Sequence, residues 1–226
     1  MNNRSAISTA ALLILSTVGV VGSVSPASAE IELSFYSGYQ TSPHSRVRGN
    51  RGASSGGTPF DNLIGWDGNS FDAPIYYGLR ATWWRGDNIG FGLEVTHDKA
   101  YAPASEMPAG FSRLEFTDGH NIITANVSKR WPGAWGNFTP YVSGGVGIAM
   151  PHVDVTEGSN RTFGYQVTGP AARVTAGAKY AITDRWSVFG EYQFTWSQNE
   201  ADLTGGGSLE TRIITNALNV GVGFSF

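Results

Sequence analysis

Residues 214–226 read ITNALNVGVGFSF and close the chain. Ile214, Leu218, Val220, Val222, Phe224 and Phe226 fall on one face of an extended backbone, and Thr215, Ala217, Asn219, Gly221, Gly223 and Ser225 on the other. A period of two sustained to the last residue is a strand with one apolar face and one small or polar face. The same alternation runs back through the chain. Eight strands can be drawn, at about 31–42, 73–85, 89–101, 118–131, 138–152, 164–182, 186–199 and 210–226.

An even number of alternating strands of ten residues or more is the pattern of a bacterial transmembrane β-barrel. The connections agree, because they alternate in length. Gly86-Asp87-Asn88, Pro132 to Asn137 and Thr183-Asp184-Arg185 are short, whereas Pro43 to Asp72, Ala102 to Thr117, Val153 to Phe163 and Glu200 to Leu209 are longer. Short turns face the periplasm and long loops the exterior in such barrels, which places both ends of the barrel chain in the periplasm. Trp83, Trp84, Trp131, Trp135 and Trp186 flank the short turns, as an aromatic girdle at the inner interface would. The terminal strand ending on Phe226 resembles the segment read by the barrel assembly machinery of the outer membrane, an expected partner. A water-soluble barrel would share the alternation. The N-terminus argues for the membrane form: Arg4, the apolar run Ala10 to Val21 and the Pro26-Ala27-Ser28-Ala29 site make 1–29 a secretory signal peptide. The expected fold is therefore all-β, an eight-stranded antiparallel transmembrane barrel over 30–226, in the outer membrane of a Gram-negative cell.

Composition excludes the alternatives. Thirty glycines in 226 residues is nearly twice the usual share, and charged residues, at 15%, are well below the usual quarter. The net charge of −3 without a basic block gives nucleic acid no purchase. With no cysteine, disulfides and thiolate metal sites are absent.

Alternation also sorts the charges. Glu32, Arg80, Glu94, Arg173, Lys179 and Glu191 lie opposite the lipid-facing residues and belong inside, since a charge at mid-membrane on the lipid face costs a few kcal/mol. Glu94 and Glu191 could form an acid/base pair. A buried ion-pair network with Arg80 and Arg173 fits better, because unpaired buried charges are costly.

The histidines of the barrel are His44, His97, His120 and His152. All map to the external end of strands, with Asp98, Glu115, Asp118 and Asp154 nearby. Neutral imidazoles with carboxylates are the ligand set of non-haem iron, zinc or manganese. His44, His97, Asp98, His120 and His152 are thus candidate catalytic residues, and His44, His97, His152, Asp98 and Asp118 candidate ligands of a divalent metal ion. By parity His97 and His152 are in phase with lipid-facing residues. In the longest loop Arg46, Arg48 and Arg51 suit the phosphates of lipopolysaccharide.

Several strings resemble a family of outer-membrane lipid A oxidases: Glu32 to Val47 (ELSFYSGYQTSPHSRV), Tyr76 to Trp84 (YYGLRATWW), Thr96 to Tyr101 (THDKAY), Leu114 to Asn121 (LEFTDGHN), Pro151-His152-Val153, and Phe163 to Pro170 (FGYQVTGP). The resemblance covers nearly all of the barrel chain. It implies oxidation of the proximal glucosamine of lipid A to 2-aminogluconate, with molecular oxygen as co-substrate, and lipid A and outer-membrane lipids as partners. It brings no set of catalytic residues. The competing expectations are a structural or adhesive small barrel and a lipid A deacylase, although no string here matches a deacylase's His/Ser arrangement.

Overall fold

The computed structural model describes residues 30–226; the expected signal peptide, 1–29, lies outside them. Twelve strands follow one another: β1 (Glu30–Thr41), β2 (Ser45–Asn50), β3 (Pro59–Ile64), β4 (Tyr77–Trp84), β5 (Ile89–Tyr101), β6 (Phe111–Arg130), β7 (Phe138–Ala149), β8 (His152–Glu157), β9 (Asn160–Tyr165), β10 (Gly169–Ala181), β11 (Trp186–Leu203) and β12 (Gly207–Ser225). Eight of them pair antiparallel in the order β1-β4-β5-β6-β7-β10-β11-β12. β1 returns to β12, from Glu32↔Ser225 to Thr41↔Asn216, and closes the ring. The expected eight-stranded antiparallel barrel is present.

Closure is what the alternation requires. One face of each strand is apolar and exposed, as at Ile31, Leu33, Leu93, Val146, Val174 and Val220. Such a sheet leaves no unpaired edge in the bilayer only when it is closed. From Phe224 to Ile214, β12 advances by ten residue steps. That is about 34 Å along the strand, or about 25 Å of height at a tilt near 45°, the thickness of an outer-membrane apolar band.

Inside, Arg80 joins two carboxylates. Its Nε and Nη2 donate to Glu94 at 3.0 Å each, and its Nη1 and Nη2 to Glu191 at 3.0 and 2.9 Å. Arg173 approaches Glu94 at 3.1 Å. The hydroxyls of Tyr36 and Tyr141 donate to Glu94 at 2.6 Å and Glu191 at 2.5 Å. Two guanidiniums balance two carboxylates, and neutral donors fill the remaining lone pairs, as a buried ionic group requires. Tyr36 reaches Glu94 because Gly78 lies beneath its ring; a Cβ there would collide with Tyr36 Cζ. A second pair, Lys179 with Glu32, lies nearer the periplasm.

Above this belt is a compact apolar cluster that includes Val47, Ile64, Phe116, Val153, Leu209 and Ile213, all buried. It is assembled by two hairpins that the sequence reading takes as loops. β2–β3 extends the ring beyond β1, with β2 pairing the upper part of β12. β8–β9 packs on the upper part of β6. The expected loops Pro43 to Asp72 and Val153 to Phe163 are therefore partly sheet. The fourth expected strand begins at Phe111 rather than 118, and the last two extend to Leu203 and back to Gly207.

One aromatic is also corrected. Trp83, Trp131, Trp135 and Trp186 are exposed on the outer wall, as a girdle demands, but Trp84 is buried. It follows Trp83 in an extended strand and so points the opposite way. Its Nε1 donates to Glu32 at 3.2 Å, and the Arg130 guanidinium lies over its ring at 4.4 Å, which plugs the periplasmic end.

Candidate functional site

The external end of the wall between β5, β6 and β8 holds the densest group of the predicted residues. His97 and Asn121 are partners in the β5–β6 ladder. Just beyond them the register shifts between Asp98/Ala100, and residues 117–119 bulge from β6. Gly119 takes φ +92 there, and a Cβ on it would collide with His97 Nδ1. Glycine is thus required both by the backbone and by the close approach of the imidazole.

The amide of Asn121 orients His97. Its Nδ2 donates to the Asp118 and Met150 carbonyls at 3.4 Å each, which turns Oδ1 toward His97. Oδ1 accepts a hydrogen bond from His97 Nδ1 at 3.1 Å. A neutral imidazole with its proton on Nδ1 carries its lone pair on Nε2. That Nε2 is buried with no hydrogen-bond partner among the described residues. The Tyr77 ring stacks on His97 at 5.1 Å.

His152 enters the same group from β8. Its ring sits edge-on between Phe163 and Tyr165, at 4.4 and 4.9 Å between centroids. Its Nδ1 lies 3.9 Å from the Asp118 carboxylate, beyond hydrogen-bond reach, and it too has no partner among the described residues. The Tyr165 hydroxyl donates to the Asp118 carbonyl at 3.3 Å. His97, Asp118, Asn121 and His152 therefore form one outward-facing group, linked through Asn121 and the Asp118 bulge.

The other candidates lie elsewhere. Asp98 follows His97 and points into the lumen, where it is the register partner of His120. Both are about 1% exposed. His120 Nε2 lies 3.1 Å from both Asn199 Oδ1 and Ser197 Oγ. This serine–histidine contact has the distance of a nucleophile–base pair. It lies beneath the apolar cluster, with Phe116 packed on the imidazole at 5.6 Å, and is closed to a lipid. His44 stands apart near the β2–β3 hairpin, exposed, 4.0 Å from Glu106.

The predicted ligands are thus divided between the two sides of the wall and a hairpin. Among the described residues no three of His, Asp and Glu come together to hold a metal ion. The geometry does not fit the expected divalent metal, and no chemical step is drawn through one.

The loop arginines also separate. Arg46 and Arg48 share Asp61, at 2.7 and 3.2 Å, on the outer face of the hairpin. The Arg46 guanidinium holds the Asp61 carboxyl below the usual carboxylate range. Arg51 turns away toward Gly110, and its Nε is buried.

Sequence reasoning misses Asn121 and Gly119, although both stand in the LEFTDGHN string. Asp118-Gly119 is a turn or bulge signal, whereas the alternation reads it as the start of a regular strand.

No protein-family model matches the chain, and no curated protein does. Solved structures match it. A major outer membrane protein from Thermus thermophilus is similar at a TM-score of 0.51 and 11% identity, over 88% of this chain and 99% of that one. Neisserial surface protein A gives 0.49 and 13%, over 88% and 97%. The outer membrane protease OmpT from Escherichia coli gives 0.46 and 9%, over 90% and 99%. At 11% identity what is shared with the Thermus protein is the fold, that of an outer-membrane β-barrel. The apolar band on the outer wall places the chain in the outer membrane in the same way.

Proposed function

We propose that this outer-membrane barrel modifies lipid A, oxidising the proximal glucosamine to 2-aminogluconate with molecular oxygen. The observation that carries the reading is the outward-facing group of His97, Asp118, Asn121 and His152 at the outer-leaflet end of the wall. Its position supports a lipid substrate, since the lumen is filled by the Arg80 network and capped by the apolar cluster. Its chemistry supports proton transfer, since each imidazole keeps one buried nitrogen with no hydrogen-bond partner among the described residues. The strings shared with the lipid A oxidase family hold these same residues.

Oxidation at the anomeric carbon removes a C–H hydrogen and a hydroxyl proton with two electrons. Oxygen accepts them as hydrogen peroxide, and water opens the resulting lactone to the acid. His97 Nε2 and His152 Nδ1 are the atoms that would hold the hydroxyl proton. Both nitrogens are buried beside the bulge and its aromatic neighbours.

Mass spectrometry of lipid A from cells with and without the protein tests the reading. The expected result is a gain of about 16 mass units in the proximal sugar, one oxygen, in aerobic cultures only. His97→Ala and His152→Ala should each reduce the gain while the barrel still folds. An unchanged mass in aerobic wild-type cells overturns the oxidase reading, and loss of an acyl chain would replace it with a deacylase.

A further inference from the structure

The upper part of β12 carries a guanidinium with no direct partner among the described residues. Arg212 lies on the outer face two residues above Ile214, is exposed, and has no hydrogen-bond or ion-pair partner among the described residues. On the length of β12 given for the apolar band, its guanidinium stands at the height of the outer-leaflet headgroups.

Its neighbours are already engaged. β2 pairs β12 as far as Thr211↔Val47; Arg46 and Arg212 are each the next residue past that pair, and both line the depression described below. Like charges sharing a depression repel. Asp61 is shared by Arg46 and Arg48. Glu210, opposite Arg48, accepts from Gln198 at 2.9 Å. Glu200, the ladder partner of Glu210, is exposed on the same face, yet among the described residues no carboxylate lies within ion-pair distance of Arg212. Between β1 and β2 the chain breaks away from β12 at Ser42 to His44, which opens a depression of about 390 Å³ lined by His44, Arg46, Arg48, Glu210, Arg212 and Ile214. Below it the wall is apolar, at Ile214 and Leu218.

We propose that Arg46 and Arg212 form a site for the phosphate of an outer-leaflet glycolipid, whose acyl chains lie along the apolar wall beneath. A phosphate between the two guanidiniums turns their repulsion into two charge-assisted contacts, and arginine matches its oxygens in pairs. The site is on the wall at the level of a lipid headgroup, with apolar surface directly below, and this favours a phospholipid-type anion over a free one. It rests on the reading that lipid A meets this wall, and it adds where the lipid is gripped. Arg51, expected with Arg46 and Arg48, takes no part.

The test uses the folded protein in phosphatidylethanolamine nanodiscs supplemented with lipid A that carries one phosphate, on its distal sugar, and a free anomeric hydroxyl, or with the same lipid A dephosphorylated. Native mass spectrometry counts the lipid A retained. Wild type should retain the phosphorylated form about tenfold more strongly, the scale of one or two charged hydrogen bonds. Arg212→Gln and Arg46→Gln should erase that preference, Arg212→Lys should restore part of it, and Arg185→Gln at the periplasmic end should leave it intact. Equal retention of the two lipids by wild type, or an undiminished preference in Arg212→Gln, overturns the site. Complete displacement by inorganic phosphate at equal concentration would overturn the lipid assignment as well. Retention is read without turnover. A missing oxygen gain with the preference intact therefore defeats only the oxidase reading, and a lost preference with the gain intact defeats only this one.

Discussion

Arg80 shows how much one side chain can hold in a narrow barrel. It is the only guanidinium among the described residues within ion-pair distance of Glu191, whereas Glu94 also has Arg173. Arg80→Ala should therefore leave Glu191 buried and uncompensated, at a cost of about 3–5 kcal/mol. The check is the temperature at which the compact barrel converts to the unfolded band in detergent gels, which should fall clearly; paired replacement as Arg80→Met with Glu191→Gln should recover much of it. An unmoved midpoint in Arg80→Ala would mean that the network contributes little. These charges are legible in the sequence because parity alone puts them inside. Parity is equally informative at Trp83-Trp84 and His97-Asp98, where the grouping by residue type overlooks it. In an extended strand neighbours face opposite ways, so one tryptophan had to leave the girdle and one ligand had to leave the metal set. What parity cannot reveal is the Asn121 hold on His97, which depends on a bulge that breaks the count.

The two added hairpins belong to the scale of elements. β8–β9 turns on Gly158-Ser159, a two-residue connection between Glu157 and Asn160 with Gly158 at φ +56. A Gly-Ser pair between alternating residues is a hairpin signal, so this element is readable from the sequence. β2–β3 is not: only Val47, Phe60 and Ile64 mark its inner face among polar and glycine-rich residues. The hairpins are held by packing from above, together with ion pairs at their rims. On β8, Asp154 accepts from Arg161 Nε and Nη2 at 2.8 Å each and from Arg113 at 3.0 Å, with Glu115 as its ladder partner. Burial pushes the Asp154 carboxyl up, and the two guanidiniums bring it below the usual range. Glu115 is held above its usual range, chiefly by burial. A lowered carboxyl contributes stability that is full above its unfolded value, about pH 4, and is lost as pH falls through the folded value. A raised one favours the folded state as pH falls toward that same unfolded value. Amide exchange across 152–165, corrected for its intrinsic rate, should thus stay slow or slow further down to about pH 4 and quicken below it. Exchange that quickens steadily from neutral pH would show that the ion pairs do not set the hairpin's stability.

At the scale of the molecule, the first and last strands close the ring, and the chain's final residue takes part. The Phe226 amide donates to the Ile31 carbonyl at 2.9 Å, while its ring, 70% exposed, meets Phe224 at 4.9 Å. Deleting Phe226 removes one hydrogen bond, worth about 1 kcal/mol, so the finished barrel should lose little stability. A large fall in the heat-modifiable fraction recovered from outer membranes would then come from failed recognition by the assembly machinery; an unchanged yield would show that the terminal aromatic is dispensable. The interior has an electrical consequence. In the middle of the lumen the Arg80, Arg173, Glu94 and Glu191 charges are tied to one another, the periplasmic mouth is stopped by Trp84, and the opposite mouth is covered by hydrocarbon. An ion entering would have to shed its water against that hydrocarbon and then pass a belt whose guanidiniums and carboxylates are already bound to one another. The molecule is an insulator: inserted in a planar bilayer under voltage, it should carry no steady current, and a resolved unitary conductance would mean that the apolar cover opens.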